Sequence, residues 1–222
     1  MRCLLLFALS LIASLPLSAQ LQPTVGVSAG ANYSQLHWYN TFHFGTQLLP
    51  DNDLHRWVPG FQAGLAVQLP VTPSLSLLFN PLFNRRGDAM DNGSSSDKTR
   101  VRLDYLDIPL LAQYYPFRKF YVEGGPMISW LLKAETAVNG EPTGNSRIMD
   151  QIYRDIDISA ALGLGYQFDN RIAVNLRFVH GLIGALDLEY TDVNGEPLTE
   201  AEEPKALNQS VQLSIQYVIL NP

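Results

Sequence analysis

The sequence predicts an all-β fold: an eight-stranded antiparallel up-and-down transmembrane β-barrel with short periplasmic turns and long extracellular loops. Three observations lead there. Apolar and polar residues alternate with a period of two along much of the chain, the mark of a strand with two unlike faces. The connections between these stretches are alternately long and short, as in outer-membrane barrels. The non-apolar face is rich in glycine (Gly26, Gly30, Gly64, Gly163, Gly165) and glutamine and poor in Lys and Glu, unlike a soluble surface.

The first element is a targeting segment. Arg2 supplies a positive start, and Leu4 to Leu17 form an apolar run too short and too early for a membrane span. Ala19, after Leu17-Ser18, provides a small residue at a cut, so residues 1–19 are expected to leave as a signal peptide and 20–222 to form one β-barrel domain. The single cysteine, Cys3, would leave with it, which suits an oxidising compartment and excludes disulfides and thiolate metal sites.

Strands are then expected near 23–34, 58–69, 74–87, 100–115, 118–133, 154–168, 171–182 and 208–219. The last is the most regular, with Val211, Leu213, Ile215, Tyr217 and Ile219 on one face and Gln212, Ser214 and Gln216 on the other. In the second, Phe61, Leu65, Val67 and Leu69 oppose Gln62, Gly64, Ala66 and Gln68. The fourth is the least regular, since Arg102 and Asp104 fall in one phase and Asp107 and Gln113 in the other; a bulge there would shift the facing by one residue.

Tyr114, Tyr115, Phe117, Phe120, Tyr121, Tyr166, Phe168 and Tyr217 gather at the short-turn end, and Tyr33, Phe61, Phe83, Tyr105 and Trp130 towards the long-loop end. Two aromatic bands bracketing apolar strands suit anchoring at two membrane interfaces. The competing architecture is a soluble sandwich or lipocalin-like barrel with the apolar face inward. The small, polar opposite face fits the narrow interior of a small barrel better. The formal net charge of -6 argues against a nucleic-acid partner. No apolar run after the first approaches the ~20 residues of a transmembrane helix.

Several stretches in order carry a family resemblance: Phe61-Gln62-Ala63-Gly64-Leu65, Asn80-Pro81 and Arg85-Arg86-Gly87, then Tyr105-Leu106-Asp107-Ile108-Pro109-Leu110-Leu111, Gly124-Gly125-Pro126, Gly163-Leu164-Gly165-Tyr166 and Leu176-Arg177-Phe178. Together they resemble the Bacteroidetes outer-membrane β-barrel family described as porin-like or PorT-like. The resemblance implies an eight-stranded barrel in the outer membrane. One type of member is linked to protein secretion and gliding, and most have no assigned activity.

An eight-stranded barrel is filled by its own side chains, so a wide pore is not expected. Arg86, Asp107, Glu123, Asp157 and Arg177 are candidates to point inward, and buried charges need partners, so an Arg–carboxylate network is the expected plug. The competing reading of the same residues is a narrow ion pathway. Of the histidines, His37, His43 and His55 belong to the first long loop without converging spacing, while His180 sits near the outer end of a strand. An enzyme built on His180 would gain from a nucleophile two residues on, where Leu182 stands.

Gly163-Leu164-Gly165 is no nucleotide fingerprint, because Phe168 stands at the third glycine's place and no helix follows. The stretch from Asp88 to Asp97 is rich in Asp, Asn, Gly and Ser but misses calcium-loop spacing, and is read as a solvated loop. Val138-Asn139-Gly140-Glu141-Pro142 recurs as Val193-Asn194-Gly195-Glu196-Pro197, and each Asn-Gly is expected to cap a hairpin with positive φ at both central residues. Asp187, Glu189, Asp192, Glu196, Glu200, Glu202 and Glu203 make the last loop acidic, a solvated tip or a contact for a divalent ion or basic partner.

The expected function is therefore non-enzymatic: an envelope or surface-binding barrel, with a secretion association implied by the resemblance alone. No catalytic residue, cofactor or metal is assigned. The alternatives are an outer-membrane enzyme acting on lipid or peptide and, more weakly, a narrow channel. Expected partners are outer-membrane lipid and lipopolysaccharide, with an envelope or extracellular protein at the long loops; the chain is expected to be monomeric.

Overall fold

Period-two alternation becomes extended chain along almost its whole length. In the computed structural model, which describes residues 22–39, 43–44, 47–48, 55–91, 98–142, 152–169, 171–186 and 205–220, nine principal strands form one antiparallel sheet. They are β1 Thr24–Tyr39, β2 Val58–Thr72, β3 Leu75–Phe79, β4 Leu82–Asp91, β5 Lys98–Tyr114, β6 Phe120–Val138, β7 Ile156–Gln167, β8 Ile172–Gly181 and β9 Lys205–Leu220. Shorter pieces at His43–Phe44, Gln47–Leu48, His55–Arg56 and Glu141–Pro142 belong to the longer connections. The expected signal segment, the second Asn-Gly repeat and nearly all of the acidic stretch lie outside the described residues.

Apart from β3 and β4, which follow one another along the same two partners, each strand pairs with its sequence neighbour, and β1 also pairs with β9, from Val25 opposite Leu220 to Tyr39 opposite Lys205. Because β5 pairs with both β4 and β6, the pairings can be followed from β1 round to β9 and back to β1. β3 and β4 run as one strand interrupted at Asn80-Pro81. Pro81 accepts from the Leu65 N–H at 2.9 Å but has no N–H to return. The Asn80 side chain supplies that donor instead, reaching the Leu65 carbonyl at 2.5 Å and the Ser28 hydroxyl at 3.0 Å.

The two faces are inverted relative to a soluble sheet. Exposed positions carry Leu65, Leu106, Ile128, Leu162, Leu164, Leu176, Leu213 and Ile215, with Leu213 54% accessible. Buried positions carry Ser28, Asn32, Gln62, Asn84, Gln113, Ser129, Asn175, Gln212 and Ser214. A contiguous apolar outer surface of this extent is stable only against something apolar, which is what the hydrocarbon layer of a membrane offers.

The strands near the expected eight are present, but several run further at their long-loop ends. β1 continues to Tyr39, β6 to Val138, and β9 begins at Lys205. The Asn139-Gly140 turn behaves as expected: φ is 55° at Asn139 and 87° at Gly140, joining Val138 to its partner Glu141. At the short-turn end Asp169 accepts from the N–H groups of Arg171 and Ile172, both at 2.7 Å, and these donors hold its carboxyl below the usual carboxylate range.

Two expectations are corrected. An irregularity does fall at Asp104/Tyr105, but the extra residue is Leu132 on β6, since Asp104 pairs Lys133 and Tyr105 pairs Leu131. β5 keeps its phase: Leu103, Tyr105, Asp107, Pro109, Leu111 and Gln113 are buried in turn. Arg102 and Asp104 therefore lie on the outer face, where Arg102 reaches Glu135 at 3.4 Å and Asp104 holds Arg85 at 2.7 Å. The second correction concerns the aromatic bands. Tyr33, Phe61, Trp130, Tyr114, Phe117, Tyr166, Phe168 and Tyr217 are exposed as expected, but Tyr105 and Tyr121 are buried on the inner face.

Candidate functional site

The buried face is where charge concentrates, and Arg86, Asp107, Glu123, Asp157 and Arg177 are all on it, each at 4% accessibility or less. They form two separate layers.

The layer nearer the short turns is built on one row of the sheet. Glu123 on β6, Gly163 on β7 and Arg177 on β8 are register partners, so a glycine stands between the two charges. A Cβ at Gly163 would come within 3.1 Å of Glu123 Cγ; its absence lets the side chains meet above the backbone. Arg177 Nε and Nη2 each lie 2.8 Å from Glu123 Oε1, and Gln113 donates to Oε2 at 2.9 Å. Gln68 and Tyr115 continue the chain towards the open end: Gln68 donates to Gln113 at 3.1 Å and to the Tyr115 hydroxyl at 2.6 Å. Two residues on, Gly165 gives way to the ring of Tyr121, whose Cζ would stand only 2.1 Å from a Cβ there. Gly163 and Gly165 are thus a pair of slots for inward side chains.

The second layer uses a serine in the same way. Asp107, Ser129 and Asp157 share a row, and Arg86 enters above the small Ser129. Its guanidinium pairs with Asp107, donates to Ser129 Oγ at 3.1 Å and stands 3.7 Å from Asp157. It also lies 4.8 Å above the Tyr105 ring, which explains the inward turn of that tyrosine. Asn84 donates to Asp107 at 2.7 Å and Asn32 to Asn84 at 2.6 Å; Asn208 donates to Asp157 at 2.8 Å and to Tyr105 at 3.3 Å.

Apolar layers separate and cap the charged ones. Ala66, Leu78, Leu111, Met127, Ala161 and Val179 cluster between Glu123–Arg177 and Arg86–Asp107. Leu36, Leu103, Tyr105, Ala134, Tyr153, Ala185 and Ala206 cluster on the long-loop side. Burial in this layer, with the nearby Asp88, pushes the Tyr153 phenol up.

Beyond that cap sits a pair that sequence spacing does not reveal. His55 and Asp88, 33 residues apart, are brought together because His55 pairs with Met90 across the strands. His55 Nδ1 contacts Asp88 Oδ2, both side chains are buried, and Asp88 also accepts from the Leu36 N–H at 3.4 Å. Asp88 is thus taken up in the structure and is not part of an open loop; residues 92–97 lie outside the described residues. His37 packs against Tyr39, and Tyr39 against His180. His180 Nδ1 meets Gln209 Nε2 at 3.1 Å, with no acid or nucleophile against it among the described residues. His43 lies in a short strand, and its side chain is outside the described residues.

No curated protein sequence matches the chain. Among solved structures, Neisserial surface protein A is similar, with TM-score 0.48 and 11% identity over 87% of this chain and 96% of its own. Ail, the attachment invasion locus protein of Yersinia pestis, gives TM-score 0.46 and 12% identity over 90% of this chain and 100% of its own. OprG, an outer membrane protein from Pseudomonas aeruginosa, gives 0.44 and 12% over 90% and 97%. The profile of the outer membrane protein beta-barrel domain matches residues 18–187, most of the chain. With its sheet polar on the buried face and apolar on the outer one, this chain belongs to the outer membrane protein beta-barrel domain family and resides in the outer membrane.

Proposed function

We propose that the chain, exported by its N-terminal signal, closes into an eight-stranded up-and-down barrel of the porin-like or PorT-like kind. In this reading β3 and β4 count as one strand, and the body is a sealed, non-enzymatic scaffold that anchors long outer loops for a surface or envelope partner. The observation that carries the sealed reading is the layering of the buried face. Two ion-paired layers are separated by Leu78, Leu111, Met127 and Val179 and capped by Leu36, Leu103 and Tyr105. A permeating ion needs polar groups free to replace its hydration shell, and here the buried charges hold one another and are flanked by these apolar side chains.

Planar-bilayer recordings of the folded full chain test this. Electrical silence at the potentials that open small porins is expected. Reproducible unitary current steps that vanish in an Arg86→Ala or Glu123→Ala variant would replace the scaffold with a narrow channel.

One observation favours an enzyme as the second reading. His55 and Asp88 form a buried imidazole–carboxylate pair near the long-loop end, and His55 Nε2 has no hydrogen-bond partner among the described residues. Lipid A and peptide-cleavage profiles of cells with the parent chain and with His55→Ala separate the two readings. Identical profiles are expected for a scaffold; a product lost only in the variant would establish the enzyme.

A further inference from the structure

The chain carries an overall formal charge of -6, yet one arc of its outer face is cationic. Arg85 on β4, Lys98, Arg100 and Arg102 on β5, Lys133 on β6 and the preceding Arg56 stand close together in register. Arg85 pairs Asp104, which pairs Lys133; Arg102 pairs Glu135; Arg56 and Arg100 both pair Ala89. Besides Arg56, which has a partner of its own, five cations thus share the arc with Asp104 and Glu135, and the exposed Glu141 lies one pairing beyond, opposite Val138. Asp91, opposite Lys98 in register, adds a further acidic position.

The side of the sheet is decided by the alternation. Val101 and Leu103 turn into the buried cluster, so Lys98, Arg100 and Arg102 turn outwards, and all three are exposed. Their height is decided by the aromatic band. The row Phe83–Leu106–Trp130–Ile156 is the last continuous apolar row of this arc, with the bulged Leu132 exposed just beyond it. The next row outward holds Arg85, whose guanidinium lies 5.2 Å from the Phe61 ring centroid and 6.0 Å from that of Phe83. Aromatic side chains mark the interface, so the cations begin where hydrocarbon ends. From Asp104 to Lys98 they then rise about 20 Å along the strand at ~3.4 Å per residue. Among the described residues, Arg85 and Asp104 are matched to each other, whereas Lys98 and Arg100 have no carboxylate partner. At the corresponding ends of β1, β8 and β9 the described residues include Gln35, His37, Tyr39, His180 and Gln209, with Lys205 as their one cation.

We infer that this arc is a docking surface for phosphorylated lipid headgroups of the outer leaflet, which in a Gram-negative outer membrane means lipopolysaccharide. The inference rests on the barrel reading above. Arg side chains at the base of the strip match phosphates at the membrane plane in geometry and charge, and Arg100 and Lys98 stand where anionic sugars of the same lipid project. The acyl chains of that lipid would lie along Phe61, Phe83, Leu106 and Trp130.

The test uses the full chain in phosphatidylcholine nanodiscs doped with lipopolysaccharide, either intact or stripped of its lipid A phosphates. Lipid retained per protein is the readout, and an unboiled gel verifies folding of every variant. The K98Q/R100Q/R102Q triple variant is compared with R118Q/K119Q, which removes two cations at the opposite end. The native chain should retain intact lipid over dephosphorylated lipid, and the triple variant should weaken that retention roughly tenfold to a hundredfold, since each of the three cations contributes up to about fivefold near an anionic surface. R118Q/K119Q should retain lipid like the native chain, and rising salt should erode retention by the native chain itself.

Equal retention by the triple variant, or of the dephosphorylated lipid, would overturn the inference. So would displacement of the lipid by inorganic phosphate at matched concentration, which would make the arc a site for the free anion. Loss of the heat shift in the native chain would instead overturn the barrel reading on which the inference rests.

Discussion

Arg177 and Glu123 meet because the residue between them has no side chain, and that arrangement carries an energetic asymmetry. A buried ion pair contributes modestly to net stability, but removing one partner leaves the other charge desolvated. Glu123→Ala should therefore cost about 3–5 kcal/mol, read as a shift of the urea-unfolding midpoint in lipid vesicles. The double variant Glu123→Leu/Arg177→Met should return to within ~1–2 kcal/mol of the parent or exceed it. A single variant as stable as the parent would mean that the pair is hydrated. These two residues, with Arg86, Asp107 and Asp157, were legible in the sequence because each falls in the non-apolar phase of a strand, where a charge can only face inward. Tyr105 and Tyr121 stand two residues from Asp107 and Glu123 in the same inward phase, so the alternation carried their facing too, but an amphipathic ring also suits a membrane interface, and the expected aromatic bands placed them there. His55–Asp88 was hidden for another reason, since the connection before β2 has no periodicity from which a facing can be read.

At the scale of elements, alternation locates the strands but understates their length. Within the membrane the outer face must be apolar, so strand and pattern coincide. Beyond it, at Lys98, Arg100, Lys133 and Glu135, the outer face is wet and the pattern fades, while the backbone ladder continues unbroken to the Asn139-Gly140 turn. The irregularity beside Asp104 was legible in position but not in ownership, because the phase conflict in β5 had another origin: its even-numbered charges pair outside the apolar band.

The bulge at Leu132 makes a distinct prediction. Deleting Leu132 leaves Leu131 and Ala134 facing inward with Lys133 between them, a regular ladder, so the deletion should keep the unboiled gel shift. Deleting Ile128 instead slips the register of everything after it and turns the inward set outward. That variant should fail to fold in the same assay. Folding of the Ile128 deletion, or failure of the Leu132 deletion, would contradict the facing assigned to β6.

For the whole molecule, fold and location follow from one inversion: polar and charged groups turned in, apolar groups turned out. On the barrel reading, the pairing of β1 with β9 makes that inversion tolerable in hydrocarbon, because it leaves no row of backbone donors and acceptors open to lipid among the described strands. The same closure predicts resistance to detergent, since nothing can peel from an edge. The most direct test is a heat-modifiability gel on outer membranes from cells expressing the full chain, with the mature mass checked for loss of residues 1–19. A closed barrel predicts an unboiled band in the outer-membrane fraction that migrates faster than the boiled one. Identical migration with and without boiling would contradict closure, and with it the sealed interior and the cationic arc that depend on it.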